Sequence, residues 1–253
     1  MQTAYKIIIY IILNAMLFTQ TGDGSFSVIG HFPKGEFKEQ GVTTGLGLDL
    51  NAALYPVPEL GFGMNLGGSI YDQSERSIPF SYYSDLITIT ERIENTIFHG
   101  HLFFKIKPLA GMQKKYNIQP YVEGLVGFKN LQTNVSLYSE NCYDDPDTSH
   151  NECEIASSII DAPESQNSTA LSYGVGGGIE IIFPKNNNKK GDSENLFFYI
   201  GGRYLYGAEA TYLKEGDIEF SDPEDGPVES TFNWNQSKTD LLQINVGIGI
   251  KLK

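Results

Sequence analysis

The chain has 253 residues, 40% of them hydrophobic and only 19% charged, with 27 Gly, 15 Tyr and 15 Phe. Glycine and aromatic residues favour strands and tight turns over helices. A net charge of −13 excludes nucleic acid as a natural partner, because phosphate binding needs clustered Lys and Arg. The two cysteines, Cys142 and Cys153, are too few for a disulfide scaffold or a zinc site.

The chain opens with one positive charge, Lys6, followed by the apolar run from Ile7 to Phe18 and then small and polar residues. That order is the pattern of a secretory signal peptide, expected over residues 1–22. The run falls short of the roughly 20 apolar residues that a membrane helix needs. The mature part is therefore expected to be a single domain, residues 23–253.

Beyond Asp23, eight stretches alternate apolar with small or polar residues at period two, which gives each an apolar face and a small or polar face. The first, Phe26 to Phe32, is noisy. In the second, Leu46, Leu48, Leu50, Ala52 and Leu54 oppose Gly45, Gly47, Asp49, Asn51 and Ala53. The third sets Leu60, Phe62, Met64 and Leu66 against Gly61, Gly63, Asn65 and Gly67. The fourth sets Phe98, Leu102, Phe104 and Ile106 against His99, His101, Phe103 and Lys105. The fifth, Ile118 to Phe128, and the seventh, Phe197 to Tyr206, fit less cleanly. The sixth sets Leu171, Tyr173, Val175, Ile179, Ile181 and Phe183 against Ser172, the glycines 174, 176 and 178, and Glu180. The eighth sets Leu242, Ile244, Val246, Ile248, Ile250 and Leu252 against Gln243, Asn245, Gly247, Gly249 and Lys251.

Three features place the apolar face against lipid rather than inside a soluble barrel. The other face is mostly Gly, Ser and Asn, whereas a water-facing surface carries dense Lys and Glu. The stretches reach the length of a tilted membrane strand. Aromatics stand near the strand ends (Tyr55, Tyr71, Tyr116, Phe128, Phe183, Tyr206, Tyr212), as in interfacial girdles. Long and short links alternate along the chain, the long ones being residues 72–94, 131–169 and 213–240. This is the arrangement of long external loops and short periplasmic turns. The charges sort in the same way. Residues 131–168 hold eight acidic residues and no Lys or Arg, and the last long link carries Glu215, Asp217, Glu219, Asp222, Glu224, Asp225 and Glu229 against Lys214 and Lys238. The short turns are basic (Lys114, Lys115, Lys185, Lys189, Lys190), as suits an anionic leaflet. The expected fold is all-β: an eight-stranded antiparallel up-and-down transmembrane β-barrel, or a ten-stranded one if Ile87 to Arg92 pairs separately.

The segments QPYVEGLVGF (119–128), LSYGVGGGIEI (171–181), GGRYLYG (201–207) and LQINVGIGIKLK (242–253) resemble the outer-membrane β-barrel domain family, the small OmpA- and OmpX-like barrels. The resemblance covers residues 24–253. It implies a cell outer membrane location and partnership with outer-membrane lipid. It also implies recognition by the barrel-insertion machinery through the C-terminal strand.

Inward positions carry Asp49, Lys105, Glu123, Lys129, Glu180 and Arg203. An eight-stranded barrel is only wide enough for its own side chains. These charges are therefore expected to pair across the lumen as a plug, with Glu180 and Arg203 the leading pair. His99 and His101 share a face, with His31 a candidate third, and are expected to fill a polar lumen rather than to bind metal. Cys142 and Cys153 are expected to form a disulfide stapling the acidic loop, as an oxidising compartment favours. The acidic clusters lack the ligand register of a calcium loop. No nucleophile elbow, phosphate-cradling loop or catalytic triad order is visible, so neither an enzyme nor a cofactor is expected. The expected role is structural or adhesive, through long acidic external loops and an extracellular partner. The alternatives are a narrow porin or small-solute channel and, from another class, a lipid-acting barrel enzyme.

Overall fold

A computed structural model describes residues 21–82, 85–112, 117–139, 165–183, 195–220 and 230–252. The expected leader lies outside these residues except for Thr21 and Gly22, which begin the first strand. Cys142, Cys153 and Tyr116 also lie outside them.

Period-two alternation becomes strand wherever it occurs. The wall consists of β1 (Thr21–Pro33), β2 (Gly45–Val57), β3 (Leu60–Tyr82), β4 (Asp85–Ile106), β5 (Ile118–Ser139), β6 (Gln166–Ile182) and β7 (Asn195–Gly207). Four short strands follow: β8 (Glu209–Tyr212), β9 (Ile218–Phe220), β10 (Ser230–Phe232) and β11 (Asn235–Lys238). The last wall strand is β12 (Leu241–Leu252). Each wall strand pairs antiparallel with its neighbours, and β12 returns to β1 with Val28 opposite Val246, so the eight-stranded barrel is closed. Closure satisfies every edge of the wall, the condition for a sheet to sit in lipid. Ile87 to Arg92 belong to β4, paired to β3 on one side and, from Ile89 onward, to β5 on the other. The wall thus has eight strands rather than ten.

The polarity of the wall is inverted relative to a soluble barrel. Leu46 is 73% exposed and Leu102 66%, while Asp49 is 1% and Arg203 3% exposed. Leucines, isoleucines, valines and phenylalanines cover the outside of all eight strands, and charges and amides fill the inside. Only a hydrocarbon surrounding makes that arrangement favourable, so this is a transmembrane barrel.

The two ends differ. At one end β2 and β3 are joined by a tight turn at Pro58–Glu59. At the other end the strands overshoot. Within 72–94, expected to be a long loop, residues 72–82 and 85–94 are instead the continuation of β3 and β4. Their ladder runs from Asp72↔Asn95 to Tyr82↔Asp85 after a register shift next to Ile70. β5 follows β4 outward as far as Ser139. β2 stops at Gly45, opposite the start of this extension, so the three-stranded tongue rises clear of the barrel rim.

Among the described residues, the β1–β2 link and much of the β7–β12 link fold inward at this end. Between β1 and β2 lies one helical turn, α1 (Gly35–Glu39), with Phe37 fully buried. β8 pairs with β11, and β9 with β10. Phe37 meets the rings of Tyr71 and Tyr212 at 5.7 and 5.3 Å and packs in one cluster with Val42, Ile97, Leu131, Leu205, Ala210 and Leu241. A second cluster (Ile93, Val135, Leu213, Ile218, with Phe232 against it) fixes the β9–β10 hairpin to the tongue. The long-loop end therefore carries an apolar lid. Tyr55, Tyr71 and Tyr212 were expected in the membrane girdles but are buried inside. Tyr55 and Tyr71 have the parity of the inward residues of their strands, and Tyr212 lies beyond the wall. Phe128, Phe183 and Tyr206 do face outward.

Candidate functional site: the lumen and its lid

Arg203, inward on β7, occupies the middle of the lumen. Its Nε donates to Glu123 Oε1 at 2.7 Å, Nη1 to Asp49 Oδ2 at 2.9 Å and Nη2 to Asn51 Oδ1 at 2.9 Å. The planar fork of guanidinium donors suits it to bridge three strands at once. Asp49 is the hub on the other side. Besides Arg203 it receives Asn65 Nδ2 at 2.5 Å, Gln243 Nε2 at 3.3 Å and Asn245 Nδ2 at 3.4 Å, and it stands 3.2 Å from His99 Nε2.

A second cluster lies toward the short-turn end. Glu180 is 2.8 Å from Lys107 Nζ, 3.6 Å from Lys251 and 3.9 Å from Lys105. Lys107 also bonds Asp23 at 3.0 Å, Lys105 lies 3.7 Å from Glu123, and Lys251 donates to Gln119 at 3.0 Å. Aromatic rings line the cluster: Lys105 sits 4.4 Å from the Tyr121 ring centroid and Lys107 4.3 Å from that of Tyr55. Cation–π attraction is strongest in such desolvated settings.

Two expectations are corrected here. Glu180 does not meet Arg203, because the β6–β7 register places Gly176 opposite Arg203 and Tyr199 opposite Glu180. The four-residue offset carries Glu180 into the lysine cluster. Lys129 stands outside the charge network: its ammonium donates to the carbonyls of Thr239 at 2.6 Å and Leu205 at 3.4 Å, beneath the lid. Asp49, Glu123 and Arg203 come together, and Lys105 and Glu180 join with three partners not singled out in sequence: Asp23, Lys107 and Lys251. Continuing the alternation of β4 two residues past Lys105, and of β1 two residues before Ser25, would have placed Lys107 and Asp23 on the inner face.

His31, His99 and His101 stand ring against ring in the lumen, His31 edge-on to His99 with centroids 5.5 Å apart and His99 tilted against His101 at 5.4 Å. Each has a polar neighbour: His31 Nδ1 is 2.6 Å from Ser69 Oγ, His101 Nε2 is 2.9 Å from Ser172 Oγ, and His99 meets Asp49. Among the described residues no His, Cys, Asp and Glu side chains are grouped to hold a metal ion.

The lid is tied down by polar contacts. Lys34 N donates to Asp240 O at 2.9 Å and Gly207 N to Asp240 Oδ1 at 3.0 Å. Asn95 Nδ2 donates to Leu213 O at 2.8 Å and accepts at its Oδ1 from Thr133 Oγ1 at 2.6 Å. Tyr212 and Ser237 share a hydroxyl bond at 3.0 Å, and burial pushes the Tyr212 phenol above its ordinary range.

No protein-family model matches this chain, and no curated protein matches it in sequence. The chain has distant likenesses among solved structures. Neisserial surface protein A is 9% identical with a TM-score of 0.40, over 92% of this chain and 96% of that one. Ail, the attachment invasion locus protein of Yersinia pestis, is 13% identical with a TM-score of 0.40, over 92% and 98%. OprG from Pseudomonas aeruginosa is 12% identical with a TM-score of 0.38, over 92% and 95%. The closed strand order and the inverted wall, rather than these distant likenesses, establish that the chain is a small eight-stranded transmembrane β-barrel.

Proposed function

We propose that this protein is an outer-membrane barrel with a closed lumen, acting structurally or adhesively through its external face. The observation that carries the reading is the double closure of the bore. Arg203, Asp49 and Glu123 bond across its middle, and Phe37, Tyr71, Tyr212 and Leu241 seal its long-loop end. With the passage filled, what the cell gains lies above the membrane, in the β3–β4–β5 tongue, the lid and the acidic links. The Ser69–His31 and Ser172–His101 pairs face the lumen rather than lipid, which argues against a lipid-acting enzyme.

The test is single-channel conductance of the refolded full chain in a planar bilayer, with folding shown by heat-modifiable electrophoretic mobility. Silence from inserted protein is expected. Steady open currents would overturn the closed-lumen reading in favour of a narrow channel. Attachment of cells displaying the protein, measured against cells whose tongue has been trimmed, tests the adhesive half.

A further inference from the structure

The link between β7 and β12 holds the chain's only tryptophan, Trp234, on the loop joining β10 to β11. Trp234 is 40% exposed, and its ring stacks on Phe232 with centroids 6.1 Å apart and planes 23° from parallel. Phe232 also packs on the cluster that holds Leu213 and Ile218, so the pair is a braced shelf rather than a loose side chain. An exposed, rigid indole with one face braced has the character of an interface anchor.

Three carboxylates are held by carboxamides within two residues of Trp234. Asn233 Nδ2 donates to Glu219 at 3.1 Å, Asn235 Nδ2 donates to Asp217, and Gln236 Nε2 donates to Glu209 at 3.2 Å. The two lysines of this segment point away. Lys214 Nζ donates to Gln40 O at 2.6 Å, and Lys238 pairs with Glu36 of α1 at 3.5 Å. Among the described residues no Lys or Arg side chain forms an ion pair with Glu209, Asp217 or Glu219, and Asp217 Oδ2 also accepts from the backbone N–H of Lys214 at 2.6 Å.

The geometry points to a docking surface for an arginine-bearing basic protein segment, with a guanidinium laid on the Trp234–Phe232 shelf and flanking cations met by Glu219, Asp217 and Glu209. Charge complementarity selects a cationic partner, and the flat aromatic face selects guanidinium, which stacks on indole better than ammonium does. Asn233, Asn235 and Gln236 pre-position the carboxylates, which lowers the ordering cost of binding. The inference names the partner class for the adhesive surface proposed above and rests on that reading.

Trp234 provides its own reporter. The full chain, refolded in detergent and excited where tyrosine does not absorb, is titrated with hexa-arginine, hexa-lysine and hexa-glutamate. A saturable change in Trp234 emission with hexa-arginine is expected, about fivefold tighter than with hexa-lysine and weakening steeply with salt. Hexa-glutamate should leave the emission unchanged. By calorimetry, Trp234→Ala should weaken hexa-arginine binding about tenfold, Trp234→Phe should restore part of it, and the Asp217→Asn/Glu219→Gln pair should weaken it and flatten the salt dependence. Absence of saturable binding, equal affinity for hexa-arginine and hexa-lysine, or Trp234→Ala binding as wild type would each overturn the assignment. Those results leave the conductance and attachment experiments unaffected, so failure of this inference is separable from failure of the functional reading.

Discussion

Arg203 and Asp49, 154 residues apart in the chain, meet at 2.9 Å across the lumen, and Glu123 completes the bridge from a third strand. All three are buried, so the contact cannot be replaced by water without opening the barrel. Removing the cation alone leaves two carboxylates facing each other. Arg203→Met should destabilise the barrel by about 3–5 kcal/mol, read from urea unfolding in detergent. Adding Asp49→Asn and Glu123→Gln should recover much of the loss. A fully additive triple variant would show that the three do not act as a unit.

Glu180 should behave differently from its sequence neighbours because three lysines converge on it. Glu180→Gln leaves Lys105, Lys107 and Lys251 sharing Asp23 and Glu123. Destabilisation of several kcal/mol, about 3–5, is expected. Glu180→Asp, which keeps the charge on a shorter stem, should lose less.

Gly127 and Gly124 lie on the same strand and face opposite ways. A Cβ at Gly127 would sit 1.9 Å from the Gly100 carbonyl oxygen, while one at Gly124 meets nothing within 4 Å. Gly127→Ala should therefore cost about 1–3 kcal/mol or prevent refolding, and Gly124→Ala should be neutral. Equal yields of heat-modifiable barrel from both variants would contradict the inward register of β5.

Phe37 holds the lid rather than the wall. Phe37→Ala should loosen α1 and β8, with faster hydrogen exchange at residues 34–44 and 208–213, while the exchange of wall amides stays unchanged. Exchange spreading into the wall would mean that lid and barrel unfold together.

Asp72 stands at the foot of the tongue, half buried, and burial raises its carboxyl above the ordinary 3.8. The folded state therefore holds this proton more tightly than the unfolded chain does. Stability from the group is present at and below the ordinary value and is lost as pH rises through the raised one. Asp72→Asn should raise the tongue's stability at neutral pH, by under about 1 kcal/mol given its exposure, and change little near pH 4. A loss at neutral pH would reverse the sign.

The sequence by itself determined the membrane face. A period of two is the geometry of a strand, so Leu46, Leu48 and Leu50 share one side and Asp49 the other; the Gly-, Ser- and Asn-rich second face then turns the leucines to lipid and Asp49 inward. The same parity rule puts Tyr55 and Tyr71 inside, although their place at the strand ends is that of girdle residues. Only the tertiary structure decided which charges meet. Pairing across a lumen depends on register, and a four-residue offset between β6 and β7 is enough to separate Glu180 from Arg203 and to send it to Lys107. Nor could alternation alone show that residues 72–82 and 85–94 continue as a tongue, or that Phe37 and Tyr212, 175 positions apart, close the mouth. Those contacts join segments with no local signal in common, and apolar burial selects them only once the wall has brought the loops together.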